Sequence, residues 1–160
     1  MAPLHILIVD DDHRACELLR YQSRRAAPEA QVLAELYTAS AAKLRLEQND
    51  YDGVFLDVQL PDGNGFDVVP FVHPDAAIIF VTGRNDQALR AFEVNAVDYI
   101  VKPVVESRLV RTLRGHDGVR RALVCPADHA QLGARVAVGP LPARPPHRHR
   151  QSSPRRTRRP

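Results

Sequence analysis

Residues 54–65 read VFLDVQLPDGNG. An apolar run, Val54 to Leu56, closes on one carboxylate, Asp57, and a turn-forming cluster of Pro61, Asp62, Gly63 and Asn64 follows. A short apolar run bounded by turn residues reads as a strand buried on both faces, the kind found in parallel sheets. The same arrangement recurs on either side: "ILIVDDD" at 6–12 ends its run in Asp10 and Asp11, "IIFVTG" at 78–83 in Thr82, and "DYIVKP" at 98–103 in Lys102.

To about residue 114, apolar runs alternate with segments of helical period, which is the pattern of βα units. Strands are expected at 5–9, 32–37, 53–56, 77–81 and 99–101. Ala15, Leu18, Leu19 and Gln22 share one helical face, and Ala88, Leu89, Phe92 and Val94 cluster similarly. The expected fold is therefore α/β, a doubly wound five-stranded parallel sheet with five helices on its two faces. The third helix should be short or irregular, because Pro70 and Pro74 bracket residues 71–73.

At 160 residues the chain has room for one ordinary domain and an appendage. Its longest apolar run is six residues, Ala76 to Val81, against the roughly 20 that span a bilayer. The N-terminus has no basic segment or small-residue cleavage site ahead of Asp10, so a cytoplasmic protein without a membrane partner is expected. Cys16 and Cys125 lack metal-ligand or redox spacing and read as incidental thiols. The net charge of +3 conceals an asymmetry: residues 1–106 carry −8, whereas residues 107–160 carry 13 arginines, no lysine and 2 acids. The basic character belongs to the tail alone.

In an open parallel sheet the C-terminal strand ends share one rim, where ligands bind. Asp10, Asp11, Asp57, Thr82 and Lys102 should converge there. Three clustered carboxylates repel one another unless one has a raised pKa or a cation sits among them. Oxygen ligands suit Mg²⁺. Asp57 could then accept a phosphoryl group as nucleophile, with Lys102 offering a cation and Thr82 a hydroxyl to the developing charge. Asp12 is expected to cap the first helix, Asp62 to serve the turn, and Gly63 to Gly65 lack the pattern of a phosphate-cradling loop.

On these ordered motifs, residues 3–114 resemble the receiver domains of bacterial two-component response regulators. The resemblance implies strand order 2-1-3-4-5 and a phosphorelay in which a sensor histidine kinase phosphorylates Asp57. It also implies a Mg²⁺ site of Asp10, Asp11, Asp57 and the backbone carbonyl of Gln59. Thr82, Lys102 and Tyr99 become the phosphoryl-binding and switch residues, while Pro61, Gly65 and Pro103 shape the loops, Pro103 after a cis bond. It allows a homodimer on phosphorylation. No enzymatic role beyond self-catalysed transfer is implied: an aspartyl phosphatase would need a second aspartate where Gln59 stands. A silent receiver-like interaction module is the other alternative.

The stretch "ALRAFEVNAVDYIVKP" resembles most the receivers that precede a LytTR-type DNA-binding domain, yet residues 115–160 do not read as one. All nine aromatic residues lie at or before Tyr99, and seven of thirteen prolines lie beyond residue 107. Two domains are thus assigned: a receiver at 1–114 and an Arg/Pro-rich tail at 115–160, mostly disordered. The tail could be a frameshifted output domain, a solvated extension, or a weak salt-sensitive DNA contact without base readout.

Overall fold

The computed structural model of the chain describes residues 3–114, so the tail expectations, Cys125 included, lie outside the described residues. Five strands, β1 (Leu4–Val9), β2 (Ala30–Leu36), β3 (Gly53–Leu56), β4 (Ala77–Thr82) and β5 (Asp98–Val101), form one parallel sheet in the order β2-β1-β3-β4-β5. Every residue of β3 and β4 is buried, which is why these strands read as continuous apolar runs.

Side chains alternate across the sheet and feed two cores. Ile6, Ile8, Phe55, Ile79 and Ile100 pack with Cys16, Leu19, Leu109 and Leu113 on one face. Leu7, Val9, Val54, Leu56 and Phe80 pack with Ala42, Leu46, Val68 and Ala91 on the other. Helices α1 (His13–Ala26) and α4 (Glu106–Arg114) therefore cover the first face, while α2 (Ala39–Leu46) and α3 (Ala88–Glu93) cover the second. The doubly wound sheet is as expected.

Three local expectations need correction. The third helix, expected to be short or irregular, is indeed two 3-10 turns, Gly65–Asp67 and Val69–Phe71, so the described residues hold four α-helices rather than five. Pro70 lies in the first positions of the second turn, where its missing N–H costs nothing, but a longer helix through Pro70 and Pro74 would lose bonds. The inward stripe of α1 is Cys16, Leu19, Ser23 and Ala26, and Leu18 is 47% exposed. In α3 only Ala91 is fully inward, while Leu89 and Phe92 are 81% and 73% exposed. A six-residue helix packed through an alanine lies close to the sheet, and its bulky side chains point away from that contact.

The N-termini are capped as their residue types require. Asp12 accepts from Arg14 N at 2.9 Å, and Thr38 accepts from Ala41 N at 3.1 Å. Asp62 does more than serve its turn. It sits in a tight antiparallel hairpin, Gln59–Leu60 against Gly63–Asn64, and reaches across to accept from Ala39 N (2.6 Å), Ser40 N (2.9 Å) and Ser40 Oγ (2.5 Å). The first turn of α2 holds no acid of its own, so Asp62 supplies the charge that opposes the helix dipole.

Helix α4 is fastened at both ends. Asp98 at the start of β5 accepts from Arg108 and from Thr112 Oγ1, and Arg25 pairs with Glu106 at 3.2 Å. Arg114 Nε donates to Ala26 O, and Gln22 donates to Val104 O ahead of the helix.

The Ser40 hydroxyl, followed by the Ser40 and Ala39 amides, holds the Asp62 carboxyl down at about 2. Because this folded value lies below the ordinary 3.8, the stabilisation is present above about pH 4 and lost as pH falls towards 2. Asp62→Ala should lower the Tm measured by circular dichroism at pH 7, with the gap to wild type closing near pH 2.

Candidate functional site

Backbone register places the site. Asp10 N donates to Leu36 O (2.9 Å), Asp57 N to Val9 O (2.8 Å) and Lys102 N to Thr82 O (2.8 Å), so each residue at a strand end is tied to the adjacent strand. Asp10, Asp11 and Asp57 then each offer a carboxylate oxygen, all within 4.8 Å of one another. Lys102 Nζ lies 2.6 Å from Asp10 Oδ2 and 2.8 Å from Asp57 Oδ2. Asp10, Asp11, Asp57 and Lys102 are thus brought together at the C-terminal ends of the strands.

The second oxygen of each buried carboxylate is also engaged. Asp57 Oδ1 accepts from Gln59 N at 3.1 Å, and Asp10 Oδ1 from Asp12 N at 3.0 Å. Burial pushes the Asp10 carboxyl above its ordinary value despite the opposing Lys102 contact and Asp12 amide. Burial alone would lower the Lys102 pKa, but the contacts to Asp10 and Asp57 outweigh it and raise it. The ammonium is held charged, and its contact only partly offsets the burial of Asp10.

The donor set fits a hard divalent cation. All three side chains bring oxygen, and buried Asp10 Oδ2 has no aligned hydrogen bond, its approach to Lys102 being a charge contact. Asp11 is exposed, which leaves the cluster open to solvent on one side.

Thr82 is buried at the end of β4, and its hydroxyl accepts from Arg84 N at 3.3 Å. Tyr99 is not part of the cluster. It lies within β5 with its ring 6.1 Å from that of Phe80, and its hydroxyl donates to Arg84 O at 2.6 Å. Thr82 and Tyr99 thus hold the same residue, one through its amide and the other through its carbonyl. Pro61 is in the hairpin turn after Gln59, and the Lys102–Pro103 bond is cis. Cys16, buried beneath the site, donates its thiol to Asp10 O at 3.5 Å; burial foremost pushes that thiol up to about 12.

Gly65 is where the loop returns to the site. Its N–H donates to Val58 O at 2.8 Å, and a Cβ there would fall 2.1 Å from the carbonyl oxygen of Asp57. Only a residue without a side chain lets the loop pass so close.

The model of the response regulator receiver domain matches residues 6–114. The chain belongs to the response regulator receiver family. It is 40% identical over 138 residues to the sensory transduction protein LytT of Bacillus cereus, covering 84% of this chain and 55% of that one. Identity to the LytT of Bacillus subtilis is 37% over 134 residues, covering 81% and 55%. The chain spans about half the length of these curated relatives.

Among solved structures, the response regulatory domain of protein mrkE from Klebsiella pneumoniae superposes with a TM-score of 0.65 at 25% identity, covering 75% of this chain and 98% of that one. The non-phosphorylated HemR receiver domain from Leptospira biflexa gives 0.60 at 32%, covering 70% and 92%. Among the described residues no helix is long and apolar enough to cross a membrane.

Two outcomes test this geometry. Gly65→Ala should cost about 2–3 kcal/mol in urea denaturation, because the clash is with backbone and the loop must shift. Asp10→Asn should raise the Tm of the metal-free chain at pH 7. The folded pKa of Asp10 lies above its unfolded value, so the ionised carboxylate opposes folding at neutral pH. The advantage of the variant should shrink as pH falls and wild-type Asp10 protonates.

Proposed function

We propose that this receiver is a phosphorylation switch in which Asp57 is the phosphoacceptor. The observation that carries the proposal is the convergence of three carboxylate oxygens within 4.8 Å, with one ammonium bridging Asp10 and Asp57. The donor is a sensor histidine kinase, the usual partner of the family: the N–P bond of its phosphohistidine breaks as an Asp57 oxygen–phosphorus bond forms. Asp10, Asp11, Asp57 and the Gln59 carbonyl would hold Mg²⁺. When bound, Mg²⁺ neutralises charge on the phosphoryl oxygens.

Lys102 meets the remaining negative charge. Its ammonium, already shared between Asp10 and Asp57, is positioned before any phosphoryl group arrives and needs little reorganisation. The Thr82 hydroxyl exchanges its contact with Arg84 N for a phosphoryl oxygen, which frees the 83–87 loop and the Tyr99 hydroxyl that rests on it. Pro61, Gly65 and the cis Pro103 hold the loops around the acceptor. A two-state change of loop and tyrosine then alters the face made by α3 and β5, where two copies of the chain could associate.

Similarity to the LytT sensory transduction proteins supports a signalling role, with residues 1–114 as a cytoplasmic switch and 115–160 as a separate tail; the output would be transcriptional if the intact gene product carries a LytTR domain. Incubation with radiolabelled acetyl phosphate and Mg²⁺ should label the protein, and Asp57→Asn or excess EDTA should reduce labelling to background. Labelling that persists in Asp57→Asn sinks the acceptor assignment.

A further inference from the structure

A polar cavity of about 330 Å³ opens between the hairpin after Asp57 and the loop leading into α3. Gln59, Asn64, Arg84, Gln87 and Arg90 contribute its polar side chains, and among the described residues no acidic one lines it. Its volume is at the lower end of the range for small-molecule sites. Arg84 and Arg90 differ in how they are held. Arg84 donates Nε and one Nη to Asp86 at 2.9 and 2.6 Å, which fixes the guanidinium and leaves its other Nη uncommitted among the described contacts.

Arg90 has no ion pair among the described residues. Its guanidinium carbon lies 4.3 Å from the centre of the Phe66 ring, which is itself buried against Phe80 at 4.6 Å. A guanidinium held over a buried aromatic ring is positioned by it, and its N–H groups, which have no ion-pair partner among the described residues, can take a carboxylate or phosphate through two parallel bonds.

We propose that this cavity is a binding site for a small organic dianion, of the size and charge of a C4 dicarboxylate, anchored by Arg90 with Arg84 as the second cation. Side-chain amides of Gln59 and Asn64 supply further donors, while that of Gln87 already donates to Asp86 Oδ2 at 3.2 Å. The ligand would bear on the switch, since Arg84 also holds Thr82 Oγ1 through its amide and Tyr99 through its carbonyl. Occupancy fixes the 83–87 loop in the arrangement described above and so favours that state over the alternative. Binding itself does not depend on Asp57 being a phosphoacceptor.

Succinate serves as the probe in a ¹H–¹⁵N NMR titration of the full chain, without Mg²⁺ and at constant ionic strength. Saturable shifts are expected at the amides of residues 59–64 and 84–90, with a Kd of about 0.1–1 mM. Arg90→Gln should weaken binding about 10-fold or more. Arg111→Gln, which removes an exposed arginine of α4, should leave it unchanged. Asp57→Asn should bind as wild type does, which separates this site from the acceptor assignment. Non-saturating shifts, equal shifts with chloride, or succinate binding that survives Arg90→Gln would overturn the proposal.

Discussion

The ammonium of Lys102 lies between Asp10 and Asp57, at 2.6 and 2.8 Å, and most of the architecture serves to bring these three groups together. Carboxylates so close, both largely removed from water, repel each other unless a cation intervenes. The cation comes from β5, one carboxylate from β1 and the other from β3, so pairing of β1 with β3, β3 with β4 and β4 with β5 must be in register for them to meet. Slipping one strand by a residue would turn its side chains to the opposite face. The buried apolar runs that enforce register thus also set the electrostatics of the rim.

Such a site is incompletely neutralised by design of its residues. One lysine faces three carboxylates, and burial leaves the Asp10 carboxyl above its ordinary value. A hard cation and a phosphoryl dianion would together restore charge balance, and Lys102 is placed to contact the second. The same economy appears in the 83–87 loop. Arg84 meets Thr82 through its amide, Tyr99 through its carbonyl and Asp86 through its side chain, so the contacts that define the resting state converge on one residue.

The sheet and the rim were legible because they rest on signals confined to short segments. The fully buried strands β3 and β4 are apolar runs, and Asp57 and Lys102 each directly follow the last residue of a strand, Leu56 and Val101. Helix faces were less legible, since hydrophobic spacing does not say which side of a short helix meets the sheet. Leu89 and Phe92 have the spacing of a core face, but tight packing at Ala91 turns them outward. Contacts between distant segments carried the weakest signal. Asp62 looked like an ordinary turn residue, and nothing near it in sequence pointed to Ala39 and Ser40, although a helix start without its own acid was a clue. The grip of Asp98 on Arg108 and Thr112, and the shelf that Phe66 offers Arg90, likewise depend on how whole elements pack.

The fastening of α4 has a mechanical consequence. The helix begins just after Lys102 and Pro103 at the rim, and its last turn reaches Arg114, whose Nε is bonded to Ala26 O at the far end of α1. With Asp98 gripping its middle and Glu106 paired to Arg25, α4 and α1 form a braced strut from one end of the sheet to the other. A strut transmits displacement along its length without bending, so a shift at the 102–105 loop moves Arg114 as part of a rigid body. Arg114 would then take up a change of position and angle while the helix that delivers it stays folded.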